Sequence, residues 1–330
     1  MRLSVSILCL CLCLLAATPR PAAAAAAGAP PAAAVAAASA QLEADDPAAG
    51  AAVAALRRAH PDDPSVGVLQ VRWLLRQGER EDALDLADEL ADDFPEHAQA
   101  QLWLGNAYGQ RIGEVGMLTQ ARYAPKLRTA FERALALDPS LHGARVALVQ
   151  YHLQAPSIVG GDPAVAKAQQ RELARRDPPR GHWARALIAA TEGDVETATE
   201  AYLAAWKARP EEKQYRFAAG IALHEAQRWD EAHALFAAWV AEDPGYGPAQ
   251  YQLGRTAALS GRFVEDGIGA LKRFLALPSL EGQPQPQHAW WRLGQIQAHA
   301  GDVVAARASF DKALALDPEL EEVKAELAKL

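Results

Sequence analysis

Few residues in this chain stand at spacings that could support catalysis or metal binding. Gly160-Gly161 could suggest a phosphate loop, but no strand precedes the pair and no Lys-Ser/Thr follows it. A turn that opens a helix fits better, with Asp162 as the N-cap and Pro163 at the first helical position. His224-Glu225 begins like a zinc-protease helix, yet Arg228 stands where that motif needs its second histidine.

The remaining histidines and serines give no further reactive grouping. The 9 histidines are scattered without metal-ligand spacing, and the chain contains no Gly-x-Ser-x-Gly element. The sequence therefore predicts no enzyme, no metal site and no cofactor.

The charge balance bears on the class of partner. The chain has 33 basic and 41 acidic residues, a net charge of -8, and no Lys/Arg block. Because nucleic-acid binding depends on neutralising phosphates with clustered cations, we expect no nucleic-acid partner.

The first residues are typical of a secretory signal peptide. Arg2 precedes an apolar run at Leu3–Ala17, and Ala22–Ala24 offers a small-residue cleavage site. A membrane anchor is the alternative, but the run is shorter than the roughly 20 residues that a spanning helix needs. We expect residues 1–24 to be cleaved, which gives a periplasmic or secreted protein with no stable membrane insertion.

The cysteines agree with export but not with lipidation. All three, Cys9, Cys11 and Cys13, lie inside the apolar run, where bulky residues precede each one instead of the small residues of a lipoprotein signal. The mature chain would hold no cysteine, which leaves it without disulfides or thiolate ligands. Residues 25–50 are rich in Pro and Ala and are predicted to form a disordered linker.

Beyond residue 50, a proline recurs at intervals near 34 residues. The spacings between successive prolines are 34, 44, 39, 32, 34, 34 and 40. The prolines are Pro61, Pro95, Pro139, Pro178, Pro210, Pro244, Pro278 and Pro318. This period is that of a helix–turn–helix unit, each ending at its proline.

Two further sets of positions share this period. Small residues stand twelve before most of these prolines, and large apolar residues often stand eight before, as at Ala306 and Phe310. Glycines recur in the first helix, as at Gly254 and Gly294, and between the helices, as at Gly261. Such periodicity predicts paired amphipathic helices with glycine C-caps.

These positions resemble the tetratricopeptide repeat family. Leu253-Gly254 with Gly261, and Leu293-Gly294 with Gly301, Ala306, Phe310 and Pro318, match its consensus. The resemblance covers residues 51–330 and implies an all-α α-solenoid of about seven helix-turn-helix repeats with a C-terminal capping helix. It also implies a binding scaffold, without naming the ligand.

A finer resemblance concerns three segments. Residues Leu104–Gly109, Leu137–Pro139 and Tyr151–Pro156, with Gly160-Gly161, look like those of an exported bacterial tetratricopeptide repeat family of unsettled role. This resemblance supports export.

The longer spacings locate three insertions. The spacing of 44 places about ten extra residues at 109–122, and the spacing of 39 places about five at 155–163. We expect these two segments to touch, with Met117, Leu118, Ile158 and Val159 buried together. The spacing of 40 places a third insertion between units, at Ser279–Pro286.

The family resemblance implies that the first helix of each repeat lines a partner-binding groove. The candidate groove residues are Leu102, Asn106, Gln110, Gln150, Phe217, Ile221, His224, Tyr251, Arg255, Trp291, Gln295 and His299. Aromatic and amide groups on such a face suit an extended or helical peptide. Packing between repeats is the alternative for Phe217, and also for Trp183, a further residue at such a position.

Asn106 resembles one member of the family's carboxylate clamp. Val146 and Ala147 stand where that clamp needs its Lys and Arg. A clamp of this kind at Asn106 is therefore not expected.

Two functions remain open at this stage. The first is a non-enzymatic scaffold in the cell envelope that binds a protein or peptide partner. The second is a small-molecule or envelope-component binding protein accessory to a transport or secretion system. An enclosed cavity would favour the second function, and an open face would favour the first.

Overall fold

The computed structural model describes residues 32–279 and 283–330, and within them every regular element is a helix. The predicted signal peptide at 1–24 and the first part of the predicted linker lie outside the described residues. The chain divides into two compact units, residues 1–192 and 193–330.

The first unit contains nine of the α-helices and two short 3-10 turns. Its helices are α1 (Ala32–Glu43), α2 (Ala49–Ala59), α3 (Pro64–Gln77), α4 (Arg80–Asp93), α5 (Ala98–Arg111), α6 (Met117–Leu137), α7 (His142–Gln154), α8 (Pro163–Arg176) and α9 (Pro178–Glu192). The 3-10 turns are Ile112–Glu114 and Ser157–Val159.

The second unit contains the remaining helices. They are α10 (Val195–Ala208), α11 (Lys213–Glu225), α12 (Trp229–Glu242), α13 (Gly247–Ser260), α14 (Val264–Ala276), α15 (Pro286–His299), α16 (Val303–Leu316) and α17 (Glu321–Leu327). In chain order, α3 to α16 alternate as first and second helices of seven repeats. The predicted all-α repeat architecture is confirmed.

The helices begin and end at the glycines and prolines that the sequence places there. Gly78, Gly193, Gly261 and Gly301 all have positive φ values, between 67° and 80°, so each ends a first helix in the left-handed conformation. At the equivalent position of the fifth repeat Gln227 adopts φ 56°. Asp162 accepts a hydrogen bond from the backbone N–H of Ala164 at 2.8 Å, which confirms the predicted N-cap ahead of Pro163.

The glycines inside the first helices permit close packing of each repeat. A Cβ added at Gly105, Gly220 or Gly294 would fall within 3.0 Å of the ring of Phe131, Phe236 or Phe310. Each of these rings comes from the second helix of the same repeat and is fully buried. At these three positions a glycine is needed because an aromatic ring of the second helix occupies the space that a side chain would take.

The structure corrects the predicted disordered linker for the described part of residues 25–50. Residues 32–43 form α1, whose Ala38 and Leu42 are buried in a cluster with Val53 of α2 and Leu69 of α3. The run of alanines favours helix because alanine loses no side-chain entropy there. The helix α2, which precedes the first repeat, packs against α1.

The two insertions of the first unit also differ from the prediction. The extra residues at 109–122 add an N-terminal extension to α6, whose repeat-equivalent part begins near Pro125. The second insertion forms the turn Ser157–Val159, which packs on α6. The expected shared burial is wrong, because Met117, Leu118 and Ile158 are each more than 80% exposed. Only Val159 packs against the core of the unit.

The C-terminal cap forms as predicted. Val323 of α17 is fully buried, and Leu327 packs on the same cluster as Phe310 of the last repeat. Residues 280–282 of the third insertion lie outside the described residues.

Candidate partner-binding surface

In the first unit, the candidate residues lie on first helices but differ in exposure. Leu102 on α5 belongs to the buried core, as does Trp183 on α9. Asn106 and Gln110 on α5 and Gln150 on α7 are half-buried. Leu102 is therefore a packing residue, whereas the three amide side chains retain surface in their unit.

In the second unit, three first helices carry the remaining candidates. Phe217 and Ile221 on α11 are half-buried, and Phe217 packs against the core cluster around Trp239. Tyr251 on α13 is buried against Phe274, with ring centroids 5.5 Å apart. His299, at the end of α15, is exposed. Phe217 and Tyr251 therefore serve mainly in packing.

His224 is buried and has a defined hydrogen-bonding role. Its Nε2 lies 2.7 Å from Oγ1 of Thr256, and that hydroxyl donates to the backbone oxygen of Gln252 at 2.8 Å. Since the hydroxyl proton is already used, Nε2 must carry the proton and donate it to Thr256. Burial, together with the charges of Arg255 and Arg292, lowers the pKa of His224 to about 3. His224 is thus a neutral donor that joins α11 to α13.

Arg255 and Arg292 lie close together on the face formed by α13 and α15. The two helices pack against each other, and the charge of Arg292 adds to burial in lowering the pKa of Arg255. Neither guanidinium forms an ion pair with any carboxylate among residues 32–279 and 283–330. Both arginines are half-buried, and we define Arg255, Arg292 and Gln295 as the arginine face.

The amide of Gln295 connects the arginine face to the C-terminal cap. Its oxygen accepts from Nη1 of Arg292 at 2.8 Å, and its nitrogen donates to Oε1 of Glu326 at 2.6 Å. The indole Nε1 of Trp291 donates to the same Glu326 oxygen at 3.1 Å. The guanidinium of Arg292 lies 4.1 Å from the centre of the Trp291 ring. Trp291 and Gln295 are therefore hydrogen-bond donors that already hold one carboxylate.

Sequence reasoning missed two residues of this arrangement. Arg292 stands next to Trp291 and is equivalent to Gln252 of the preceding repeat. The repeat spacing alone would therefore have placed it on the first helix beside the other candidates. Glu326 is one of several charged residues in the C-terminal cap, and nothing in the sequence sets it apart from its neighbours. Only the docking angle of α17, which sequence does not give, turns Glu326 towards α15.

The described residues contain no grouping suited to a metal ion. One cleft of about 180 Å³ lies in the first unit, lined by Gln170, Ala174, Pro178, Gly181, His182 and Arg185. This volume is below the roughly 300 Å³ at which ligand pockets begin. None of the described helices has both the length and the apolar character that crossing a membrane requires.

A tetratricopeptide repeat family model matches residues 68–111, 184–247 and 251–321, which together exceed half of the chain. This chain belongs to the tetratricopeptide repeat family. No curated protein sequence matches this repeat protein significantly.

Solved structures share the fold. The structure described as the functional characterization of Pseudomonas aeruginosa pilF has a TM-score of 0.51 and 16% identity, and the match covers 71% of this chain and 97% of that chain. A chain of the APC/C hetero-tetramer Cut9-Hcn1 has a TM-score of 0.55 and 15% identity, with coverage of 85% and 52%. At such low identity these likenesses show the fold alone.

Proposed function

We propose that this tetratricopeptide repeat protein is a non-enzymatic scaffold of the cell envelope that binds a protein or peptide partner through its first helices. The observation that carries the proposal is the α13–α15 surface. There an indole, an amide and two guanidiniums without counter-ions stand together in a fold whose family generally holds partners instead of transforming them.

In each unit, we assign partner binding to the candidate residues whose side chains remain partly exposed. Asn106, Gln110 and Gln150 in the first unit would satisfy backbone groups of a bound segment. In the second unit, Ile221, Trp291 and Gln295 combine apolar and polar contact. The cleft in the first unit is itself smaller than the usual pocket of a small-molecule binding protein.

Site-specific photo-crosslinking in the producing organism tests the proposal. We would place a photo-reactive amino acid at Gln295, at Gln110 and, as a control, at Arg307 on the exposed side of α16. The proposal expects an adduct with one envelope protein from Gln295 or Gln110 and none from Arg307. Identical adducts from all three positions, or no adduct from either candidate position, would count against it.

Location in the envelope is a proposal that rests on residues 1–24. The test is to fuse these residues to alkaline phosphatase, which is active only after export. We expect an active fusion, and an inactive fusion when an arginine replaces Leu8 in the apolar run. Activity that persists with the arginine would contradict the assignment.

A further inference from the structure

We infer that Arg255 and Arg292 recognise side-chain carboxylates of an acidic segment in the partner peptide. This inference rests on the proposed function and names the chemistry of its partner. Three observations support the inference. The arginines of the arginine face form no ion pair, some of their N–H donors have no described acceptor, and a carboxylate is already bound next to them.

The arginine face differs from the other arginines of the second unit for which ion pairs are described. Arg216 pairs with Glu242, Arg228 with Glu200 and Glu231, and Arg262 with Asp230. The unit thus supplies carboxylates where arginines serve its own structure. No carboxylate of the described residues lies within ion-pair distance of Arg255 or Arg292, and Glu225 acts on the charge of Arg255 from beyond that distance. Partial burial makes an unpaired charge costly.

The two guanidiniums also retain hydrogen-bonding capacity. A guanidinium has five N–H donors, yet Arg255 makes only a long contact of 3.5 Å to Oε1 of Gln252 among the described residues. Arg292 donates to Gln295 through Nη1, and no bond of its Nη2 is described. Donors arranged in this fork match the two oxygens of a carboxylate, which would satisfy both charge and hydrogen bonds.

Glu326 shows how this surface binds a carboxylate. One of its oxygens accepts from both Trp291 and Gln295, and Gln295 in turn accepts from Arg292. The Glu326 carboxylate stops short of an ion pair with Arg292. A second carboxylate from a partner would therefore extend an existing chain of donors and acceptors instead of displacing one.

A peptide fits this surface better than a nucleic acid does. Nucleic-acid binding needs a row of cations along a phosphate backbone, and the chain carries a net charge of -8. The arginine face is one local positive spot beside the indole of Trp291. One or two acidic side chains next to an apolar one meet these features.

The test uses arrays of random 12-residue peptides probed with the full mature chain. One array attaches peptides through their C-termini, and a second leaves the C-termini free. The proteins compared are the wild type, Arg255→Gln/Arg292→Gln and Arg255→Lys/Arg292→Lys. A control, Lys272→Gln/Arg307→Gln, removes two exposed charges of the same unit. Circular dichroism and melting temperature establish that each variant folds.

Enrichment of Asp and Glu among bound peptides is the expected result for the wild type and the control, in both array formats. We expect Arg255→Gln/Arg292→Gln to lose this enrichment and to bind a selected acidic peptide about 10-fold or more weakly in fluorescence anisotropy. The lysine variant should keep the acidic preference with reduced affinity, because it keeps charge but loses the fork.

Three other results would overturn the inference. Bound peptides without Asp or Glu enrichment would refute the acidic partner and leave the proposed function standing. Enrichment confined to free C-termini would assign the arginines to a terminal carboxylate instead of side chains. The absence of any bound peptide would refute the proposed function together with the inference.

Discussion

Each unit of the molecule places arginines around a buried or half-buried histidine, but the two clusters treat their charges differently. In the first unit, three arginines lie near His142: Arg176 bonds Glu172, Arg180 bonds Asp177, and Arg145 bonds the amide oxygen of Gln169. In the second unit, His224 lies near Arg255 and Arg292, which have no such carboxylates among the described residues. The same residue types therefore serve two purposes.

The difference separates arginines that are paired within the fold from those that we propose bind a partner. The Arg180–Asp177 pair is buried on both sides, at 8% and 7% side-chain exposure, and it stands at the start of α9. Its charges are compensated inside the unit, so it can serve the fold alone. The arginine face lacks that compensation, and we propose that a partner provides it.

Breaking the buried pair of the first unit should give the largest effect. Asp177→Asn removes the carboxylate that bonds the buried guanidinium of Arg180, and we expect a loss of about 3–5 kcal/mol in the free energy of unfolding. Urea denaturation followed by circular dichroism measures it. Glu172→Gln, at an ion pair on the surface, is the control and should lose far less stability. Similar losses would mean that the Arg180–Asp177 pair is not structural.

The two tryptophans beneath arginines provide a second comparison. Trp239 is buried under Arg216, which is ion-paired, whereas the half-buried Trp291 lies under Arg292, which is not. Trp239→Ala should cost about 3–4 kcal/mol, because it leaves a cavity in the core of the second unit. Trp291→Ala should lower the free energy of unfolding by about 1 kcal/mol, since it removes one hydrogen bond and contacts that are partly exposed to solvent. Its main effect should be weaker peptide binding. Equal shifts in melting temperature would contradict this assignment.

The pH dependence of stability tests the electrostatics of His224. Its folded pKa of about 3 lies below the ordinary 6.5, so between these values the unfolded chain binds a proton that the folded chain does not. The stability contribution is thus complete above pH 6.5 and is lost as the pH falls towards 3. Between pH 6.5 and about pH 5 we expect wild type to lose about 1.5 kcal/mol more than His224→Gln does. Parallel pH profiles of the two proteins would show that burial leaves this histidine unperturbed.

The smallest effect on stability is expected at the arginine face itself. Arg255→Gln/Arg292→Gln removes two like charges that have no ion pair among the described residues, so stability should stay the same or rise by at most about 1 kcal/mol. The increase should shrink at high salt, where repulsion is screened. A loss above about 2 kcal/mol would mean that the two arginines are structural, like Arg180.

Sequence periodicity predicted the repeats because the positions that define them obey local rules. A glycine recurs where an aromatic side chain of the next helix needs space, as at Gly294 and Phe310, and a left-handed C-cap recurs as at Gly261. Sequence reasoning failed to predict α1, because the low complexity of this segment was interpreted as disorder. Leu42 is a large apolar residue in the segment, and it is buried in the structure. Sequence reasoning also failed for Met117 and Leu118, whose apolar character does not require burial.

The proposed binding surface was predictable from the sequence only in part. Arg255, Trp291 and Gln295 follow from the repeat positions of first helices. The missing counter-ions of Arg255 and Arg292 depend on which side chains the neighbouring helices bring near, and sequence spacing within one helix does not contain that information. The orientation of Glu326 likewise depends on how α17 packs on the last repeat.

The salt dependence of peptide binding tests the central claim most directly. A labelled acidic peptide selected on the arrays would be titrated with wild type and with Arg255→Gln/Arg292→Gln at low and at physiological salt. We predict that affinity for the wild type falls as salt rises, and that the variant binds weakly with a much smaller salt dependence. Equal affinities and equal salt dependence for the two proteins would contradict the claim that the arginine face recognises carboxylates.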